Sequence, residues 1–487
     1  MSGVGNRAAI LTLSRLANYG LMMISPIILV RLLTVEQFGN YREFLLYASV
    51  LQSIAVFSIN DSLLYCIPAQ PRSRWRTVRQ TAVLIGCSSF LTVVALAAID
   101  RATGGHVVGT LLLPLCAFTL LAANLDFWDY FWVATDRAAL VFVYSAVRLG
   151  ARVTVATVTA AVTRDVQTII WALVALEGVR LIGVIVVMAV VGRASSEPKL
   201  DDPWREQLRY CVPSGAASVL AMLNRNLSSL VVAKALGAVA LAQYTIGRYG
   251  EPVVETLRNS VSSVVLPEMV RRDRGGREAS LALWQQATVV NTILLFPVVV
   301  LLERYARPLV VLVFGHAYAQ AAVILQLYML VVVRECFDFA PALRARNKTR
   351  PLVESNVASI IACGALLAIL VPMAGVAGAM LAFGVGAWID AAWLTYRTQR
   401  HYRVRLGELI PWSSIGRVTA AALIAAAVLM TSAWRDLLGP AGMVLAAAVY
   451  LAVFCLLVLA MRVSEAYALL HWLRRLAPGF VTASRKA

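Results

Sequence analysis

Stretches of roughly 20 apolar residues recur along the whole chain, separated by short polar connections. Each is long enough to cross a hydrocarbon layer about 30 Å thick. They fall at about residues 10–33, 42–66, 81–99, 107–130, 138–162, 168–191, 210–236, 240–267, 280–302, 318–340, 352–371, 375–396, 414–433 and 440–461. The pattern predicts an all-α polytopic membrane protein with about 14 transmembrane helices. No connection exceeds about 20 residues, which leaves no room for a catalytic domain outside the membrane. Arg15 interrupts the first apolar run, and residues 26–33 continue it without a small-residue cleavage site, so it reads as an uncleaved helix rather than a signal peptide.

A weak internal repeat organises these segments. At an offset of 203, Arg31, Leu33, Phe38, Asn40 and Tyr41 meet Lys234, Leu236, Leu241, Gln243 and Tyr244. At a slightly different offset Glu177 meets Asp390. Six helices per copy insert both copies the same way up, related by an axis along the membrane normal, with a substrate site expected between them. The expected organisation is an N-lobe at 1–192, a linker at 193–209, a C-lobe at 210–400, two further helices at 401–461 and a tail at 462–487. Residues 469–476 of that tail, with Trp472, Arg474 and Arg475, suit the membrane surface.

Charge orients the bundle. Only 14% of the 487 residues are charged and 60% are hydrophobic, which excludes a water-soluble globule, yet the formal net charge is +18. Nucleic-acid binding needs a soluble basic face, and none is present. Instead, about 27 basic residues occupy alternate connections and the tail, against seven in the intervening loops. This bias predicts cytoplasmic termini. The seven cysteines show no CxxC pair and the four histidines no ligand spacing, so neither metal nor cofactor is expected.

Ten basic residues lie inside the apolar spans, and these carry the functional question. In the eighth segment Tyr244, Arg248, Glu251, Glu255 and Arg258 recur at helical spacing, with Arg248–Glu251 and Glu255–Arg258 able to pair. Arg15 and Asn18 belong to a polar stripe in the first segment, Arg148 and Arg152 sit one turn apart in the fifth, and Arg225 lies among Asn224 and Asn226 in the seventh. Arginine donates paired hydrogen bonds and keeps its charge, so the candidate ligand is an anionic headgroup, above all a pyrophosphate. Glu251, Glu255, Asp61 and Asp390 are candidates for coupling to H⁺ or Na⁺, together with Glu177 and Asp338. Asp126, Asp129, Glu335 and Asp338 also read as ion-paired positions near helix ends. Gly375 and Gly378 suit close helix packing, and Pro213, Pro252 and Pro297 suit kinks.

The stretches LVRLLTVEQFGNY (29–41), ARPLVVLVFGHAYAQAAVILQL (306–327), NKTRPLVESNVAS (347–359) and PMAGVAGAMLA (372–382) resemble bacterial polysaccharide flippases. These belong to the multidrug/oligosaccharidyl-lipid/polysaccharide (MOP) exporter superfamily. The resemblance implies two six-helix MATE-like lobes around a V-shaped cavity, two extra C-terminal helices, and alternating access in the inner membrane. It also implies a substrate of sugars on undecaprenyl pyrophosphate, moved to the periplasmic leaflet for O-antigen, capsule or exopolysaccharide, in company with a polysaccharide polymerase. By helix and chemical type, Arg15, Arg148, Arg152, Arg225 and Arg248 would line the cationic cavity. A multidrug exporter, a peptidoglycan lipid-precursor flippase and a membrane polymerase or ligase are the alternatives. An acidic cavity would favour the first of these, and sizeable periplasmic loops, absent here, the last.

Overall fold

The computed structural model describes residue 20 and residues 23–69, 74–105, 108–123, 125–135, 137–192, 203–273, 276–346, 348–429 and 440–467. Arg15, Asn18 and the tail segment 469–476 lie outside them. The chain divides into two compact units, residues 1–245 and 246–487.

The first unit contains α1 (Met23–Leu32), α2 (Val35–Val56), α3 (Ser62–Ala69), α4 (Arg74–Ala102), α5 (Leu112–Ala123), α6 (Phe127–Ala134), α7 (Ala138–Thr163), α8 (Val166–Gly192) and nearly all of α9 (Pro203–Gly247). The second contains α10 (Glu251–Asp273), α11 (Arg277–Phe314), α12 (Ala321–Glu335), α13 (Ala340–Ala345), α14 (Arg350–Tyr402), α15 (Leu406–Leu409), α16 (Trp412–Leu429) and α17 (Pro440–Ala460). Regular structure among the described residues is helical throughout, as hydrocarbon demands of backbone that must satisfy its own hydrogen bonds.

Among the described residues, eight helical stretches are long and apolar enough to cross a membrane. Several expected spans lie end to end within one of them. The 45-residue α9 bends at Gly237, whose φ of 83° only glycine adopts freely, and the 53-residue α14 bends at Gly375, with φ 56°. Both bends fall at connections that hydropathy predicts. Elsewhere the structure breaks helices that the apolar pattern reads as continuous. The second segment turns at residues 57–61, through Phe57 and Ser58 at positive φ, the fourth between α5 and α6, and the tenth between α12 and α13. Hydropathy cannot register these breaks, because the residues on either side stay apolar.

The eighth segment also differs from its expected form. Residues 248–250 form a turn, so Tyr244 belongs to α9 while Glu251 opens α10. Pro252 therefore sits in the first turn of α10, where the missing N–H costs nothing, instead of kinking a helix. Pro213 and Pro297 do lie inside helices.

Local signals set several ends. Thr34 caps α2 by accepting from the Gln37 amide at 3.2 Å while its own amide donates to Gln37 Oε1 at 3.0 Å. Asp165 caps α8 through the Thr168 amide at 2.8 Å and hydroxyl at 2.7 Å, and the hydroxyl's hydrogen bond is the main cause holding this carboxyl below its ordinary range. Gln37 Nε2 also donates to the Arg164 carbonyl at 2.9 Å, joining two connections that the charge alternation puts on the same side. In the second unit Arg346 donates to the His401 carbonyl at 2.6 Å, joining two basic connections, and Gln285 of α11 donates to the Glu408 carbonyl at 2.6 Å.

The packing is that of a bundle in lipid. Outward positions carry Phe90 and Leu91 on α4, Val179 and Ile182 on α8, Ile361 and Ile369 on α14, and Val444 and Leu456 on α17, all exposed. A water-soluble protein would not tolerate that surface. Inside the first unit, Trp75, Phe127, Trp128, Phe131 and Trp132 form an aromatic core where α4 meets α6. Polar groups fasten α9 to its neighbours: Gln207 Nε2 donates to Ser62 Oγ and Thr81 Oγ1, both at 2.8 Å, and Ser58 and Ser218 share a hydrogen bond of 2.7 Å. Such interhelical bonds stabilise membrane bundles by about 0.6 kcal/mol each. In the second unit Trp284 stacks on Phe339 at 4.9 Å, and α16 and α17 pack small residues, among them Ala421, Ala425 and Ala446, against α11.

Two glycines mark close backbone approaches. A Cβ on Gly39 would lie 2.0 Å from the Ala238 carbonyl oxygen, and one on Gly378 would lie 2.0 Å from that of Leu370. Gly378 thus has the packing role that its sequence context suggests. Gly39→Val or Gly378→Val is expected to reduce the yield of monodisperse protein several-fold. Gly150→Ala, with open space around its Cβ, should leave the yield unchanged in the same size-exclusion assay.

Candidate functional site

Each unit holds a network of arginines and carboxylates within its helices. In the first, α7 presents Arg148 and Arg152, separated by one helical turn. Arg148 donates to Asp126 Oδ1 at 2.8 Å and pairs with Asp129 Oδ2 at 2.8 Å, while Ser145 donates to Asp129 at 3.1 Å. Arg152 Nε donates to Glu177 Oε1 at 2.7 Å. Glu177, fully buried on α8, also pairs with Arg180 one turn on, and Arg180 reaches toward Asp126 at 3.8 Å.

Three guanidiniums therefore face three carboxylates, and the cluster is formally neutral. Tyr144 braces it. Its hydroxyl accepts from Arg180 at 3.1 Å and donates to the Leu125 carbonyl at 3.0 Å, with Arg148 and Arg180 each near the ring face. Arg152 packs over Phe118 at 5.7 Å.

The second unit repeats the chemistry with other helices supplying the partners. Glu335, the last residue of α12, pairs with Arg258 of α10 and with Arg334 at 3.0 Å. Arg334 also pairs with Asp390 of α14 and donates to the Ala387 carbonyl at 3.3 Å. Asp338 lies in the turn before α13, where it accepts from Ser262 at 2.6 Å and from the Ala340 amide at 3.1 Å. Arg248, buried, donates to both oxygens of Glu251 at 3.0 and 2.8 Å and stacks on Phe383 at 4.1 Å.

The two networks share short sequence elements. Asp126-Phe-Trp-Asp129 and Glu335-Cys-Phe-Asp338 lie 209 positions apart, and each sits at the break of its helix, after α5 and after α12. Glu177 and Asp390, aligned already by sequence, each pair with an arginine. Asp126, Asp129 and Glu335 are ion-paired near helix ends, as their positions suggest.

Of the sequence candidates, the structure brings Arg148 and Arg152 into one cluster, pairs Arg248 with Glu251, and pairs Asp390 with Arg334. Arg258 pairs with Glu335 of α12, and Glu255 on its own helix also acts on it electrostatically. Glu255 is half-buried on α10, Arg225 is exposed on α9, and Asp61, in the turn between α2 and α3, hydrogen-bonds Tyr130. Arg180 and Arg334 are the residues of these networks that sequence reasoning passed over. Both sat inside expected spans next to an acid, Arg180 at i+3 from Glu177 and Arg334 beside Glu335, which was the available signal.

Residues 28–323, more than half of the chain, match the family model described as polysaccharide biosynthesis protein. The chain belongs to that family. No curated protein matches it, but solved structures share its fold. An inward closed conformation of the lipid II flippase MurJ superposes with a TM-score of 0.71 at 12% identity, covering 93% of this chain and 97% of that one. The Vibrio cholerae MATE transporter VcmN gives 0.56 at 14% identity, over 84% and 98% of the two chains. A Pyrococcus furiosus MOP superfamily transporter, described as having a binding pocket of reverse polarity, gives 0.56 at 13% identity over 82% and 95%. This family member thus has the all-α, multi-pass MOP fold that its sequence motifs resemble.

Removing the charge of Glu177 would leave Arg152 and Arg180 short of a counter-ion in the bundle interior, a change that costs about 3 kcal/mol or more at buried pairs. Glu177→Gln is expected to lower the thermal midpoint in detergent, and adding Arg152→Gln should recover part of the loss. A double-mutant cycle measured by thermal unfolding checks both outcomes.

Proposed function

We propose that the protein is a flippase that moves undecaprenyl-pyrophosphate-linked oligosaccharide repeat units from the cytoplasmic to the periplasmic leaflet for O-antigen, capsule or exopolysaccharide assembly. The observation that carries the reading is the concentration of arginines inside the apolar helices of a polysaccharide-biosynthesis family member. Guanidiniums buried at this cost suit a substrate that brings phosphate charge into the membrane.

Arg148, Arg152, Arg225 and Arg248, with Arg15 and Asn18 outside the described residues, are the proposed headgroup contacts. The charge bias of the connections favours the bacterial inner membrane with both termini cytoplasmic. Alternating access moves the headgroup while the polyprenyl chain stays in lipid. A polymerase on the periplasmic side would consume the product.

The second unit supports coupling to H⁺ or Na⁺. Its network pairs Glu251, Glu335 and Asp390 with Arg248, Arg258 and Arg334, and Glu255 and Asp338 add carboxylates near Arg258. The likeness to MATE transporters keeps a cation antiporter as the second reading. It predicts drug efflux in place of glycan transport.

Depletion of the protein should accumulate lipid-linked sugars in the inner leaflet, and Arg225→Ala or Arg248→Ala should abolish polymer while the protein still inserts. Normal polymer from both variants, read by gel and immunoblot, would remove these residues from the site. Unchanged lipid-linked pools on depletion would remove the flippase reading itself.

A further inference from the structure

We propose that Asp126 is a displaceable stand-in for a phosphate oxyanion, and that Arg148, Arg152 and Arg180 form the site it vacates when the pyrophosphate of the substrate enters. The nature of the anion rests on the flippase reading. The oxyanion site itself rests on geometry in the first unit.

The three guanidiniums already hold three carboxylates, and a further anion entering a neutral cluster would meet as much repulsion as attraction. One carboxylate must therefore leave. Glu177 is fully buried between Arg152 and Arg180, and Asp129 is tied by both Arg148 and Ser145. Asp126 is the most exposed of the three, at 32% against 19% and 0%, and makes one tight bond, at 2.8 Å to Arg148, and one loose approach, at 3.8 Å to Arg180. It lies in the break between α5 and α6, so its side chain can swing away without costing either helix a regular hydrogen bond.

The cluster also holds unused donors. Arg148 Nε and Arg152 Nη2 are buried with no hydrogen-bond partner, although neighbouring nitrogens of the same side chains are paired. Unmet buried donors are costly. Planar carboxylates on α6 and α8 leave those two nitrogens unmet, whereas a phosphate presents acceptor oxygens in three dimensions and can serve several guanidinium edges at once. The second unit also has unmet buried donors, Arg248 Nε and Arg258 Nε, but its carboxylates are held differently. There Glu335, aligned with Asp126, is held by two arginines and is 17% exposed against 32% for Asp126, so the loosely held carboxylate is the first unit's.

The test is titration of the purified full-length protein in nanodiscs with inorganic pyrophosphate by calorimetry. Asp126→Asn, which keeps the side-chain shape and removes its charge, is expected to bind about tenfold more tightly than the parent protein, and adding Arg180→Gln should abolish the gain. Equal affinities for parent and Asp126→Asn, including no binding by either, overturn the inference, as does full retention of the gain in the double variant. If Asp126→Asn gives no monodisperse protein, phosphorus NMR line-broadening of pyrophosphate by the parent and by Arg180→Gln decides. Broadening lost in the variant supports the site, and equal or no broadening overturns it. Enhanced pyrophosphate binding together with unchanged lipid-linked sugar pools on depletion would keep the site and reject the flippase reading, so the two can fail separately.

Discussion

A guanidinium cannot shed its proton to enter a hydrocarbon layer, so every arginine carried into a membrane-spanning helix has to meet a carboxylate, an aromatic face or water. Much of this fold's interior follows from that requirement. In the first unit α6, α7 and α8 are tied by Arg148, Arg152 and Arg180, with Tyr144 and Phe118 covering the flat faces of the cations. In the second, α10, α12 and α14 are tied through Arg258 and Arg334. Some of the acids that answer these arginines, Asp126, Asp129 and Glu335, sit at or beside a helix end, whereas Glu177 and Asp390 reach their partners from within α8 and α14.

The same pairing explains how a repeat can persist while its details drift. Asp126 and Asp129 in one unit, and Glu335 and Asp338 in the other, keep their spacing and their place at a helix break. Their partners do not correspond. Arg148 comes from the helix that follows the break, whereas Arg258 comes from an earlier helix and Arg334 from the residue beside Glu335. Electrostatic neutralisation constrains the sum of charges in a dry region, not the helix that delivers each one. The two units consequently neutralise their interior arginines through different sets of helices.

Much of the architecture was legible in the sequence. The apolar runs located the helical stretches, Gly237 and Gly375 fell at predicted connections, and Gln37 with Arg164 and Arg346 with His401 join loops that the charge alternation places together. The eighth segment misled because Tyr244, Arg248, Glu251, Glu255 and Arg258 keep helical spacing across a turn, so periodicity alone implied one continuous face. Arg180 and Arg334 were passed over although an acid stands close by in each run, Glu177 and Glu335, because the run does not say which residues of other helices each will meet.

The sequence by itself determined that this is an all-helical membrane protein with its charges confined to connections and a small interior set. Length and hydropathy are local quantities, and the cost of exposing backbone or charge to lipid leaves them one solution. Only the tertiary structure decided where helices break within apolar runs, which acid neutralises which arginine, and that Asp126 is the loosely held member of its cluster. Those outcomes depend on distances between residues from different helices, such as 126, 148 and 180, and the approach of two helices is set by packing over the whole bundle rather than by any segment's own pattern.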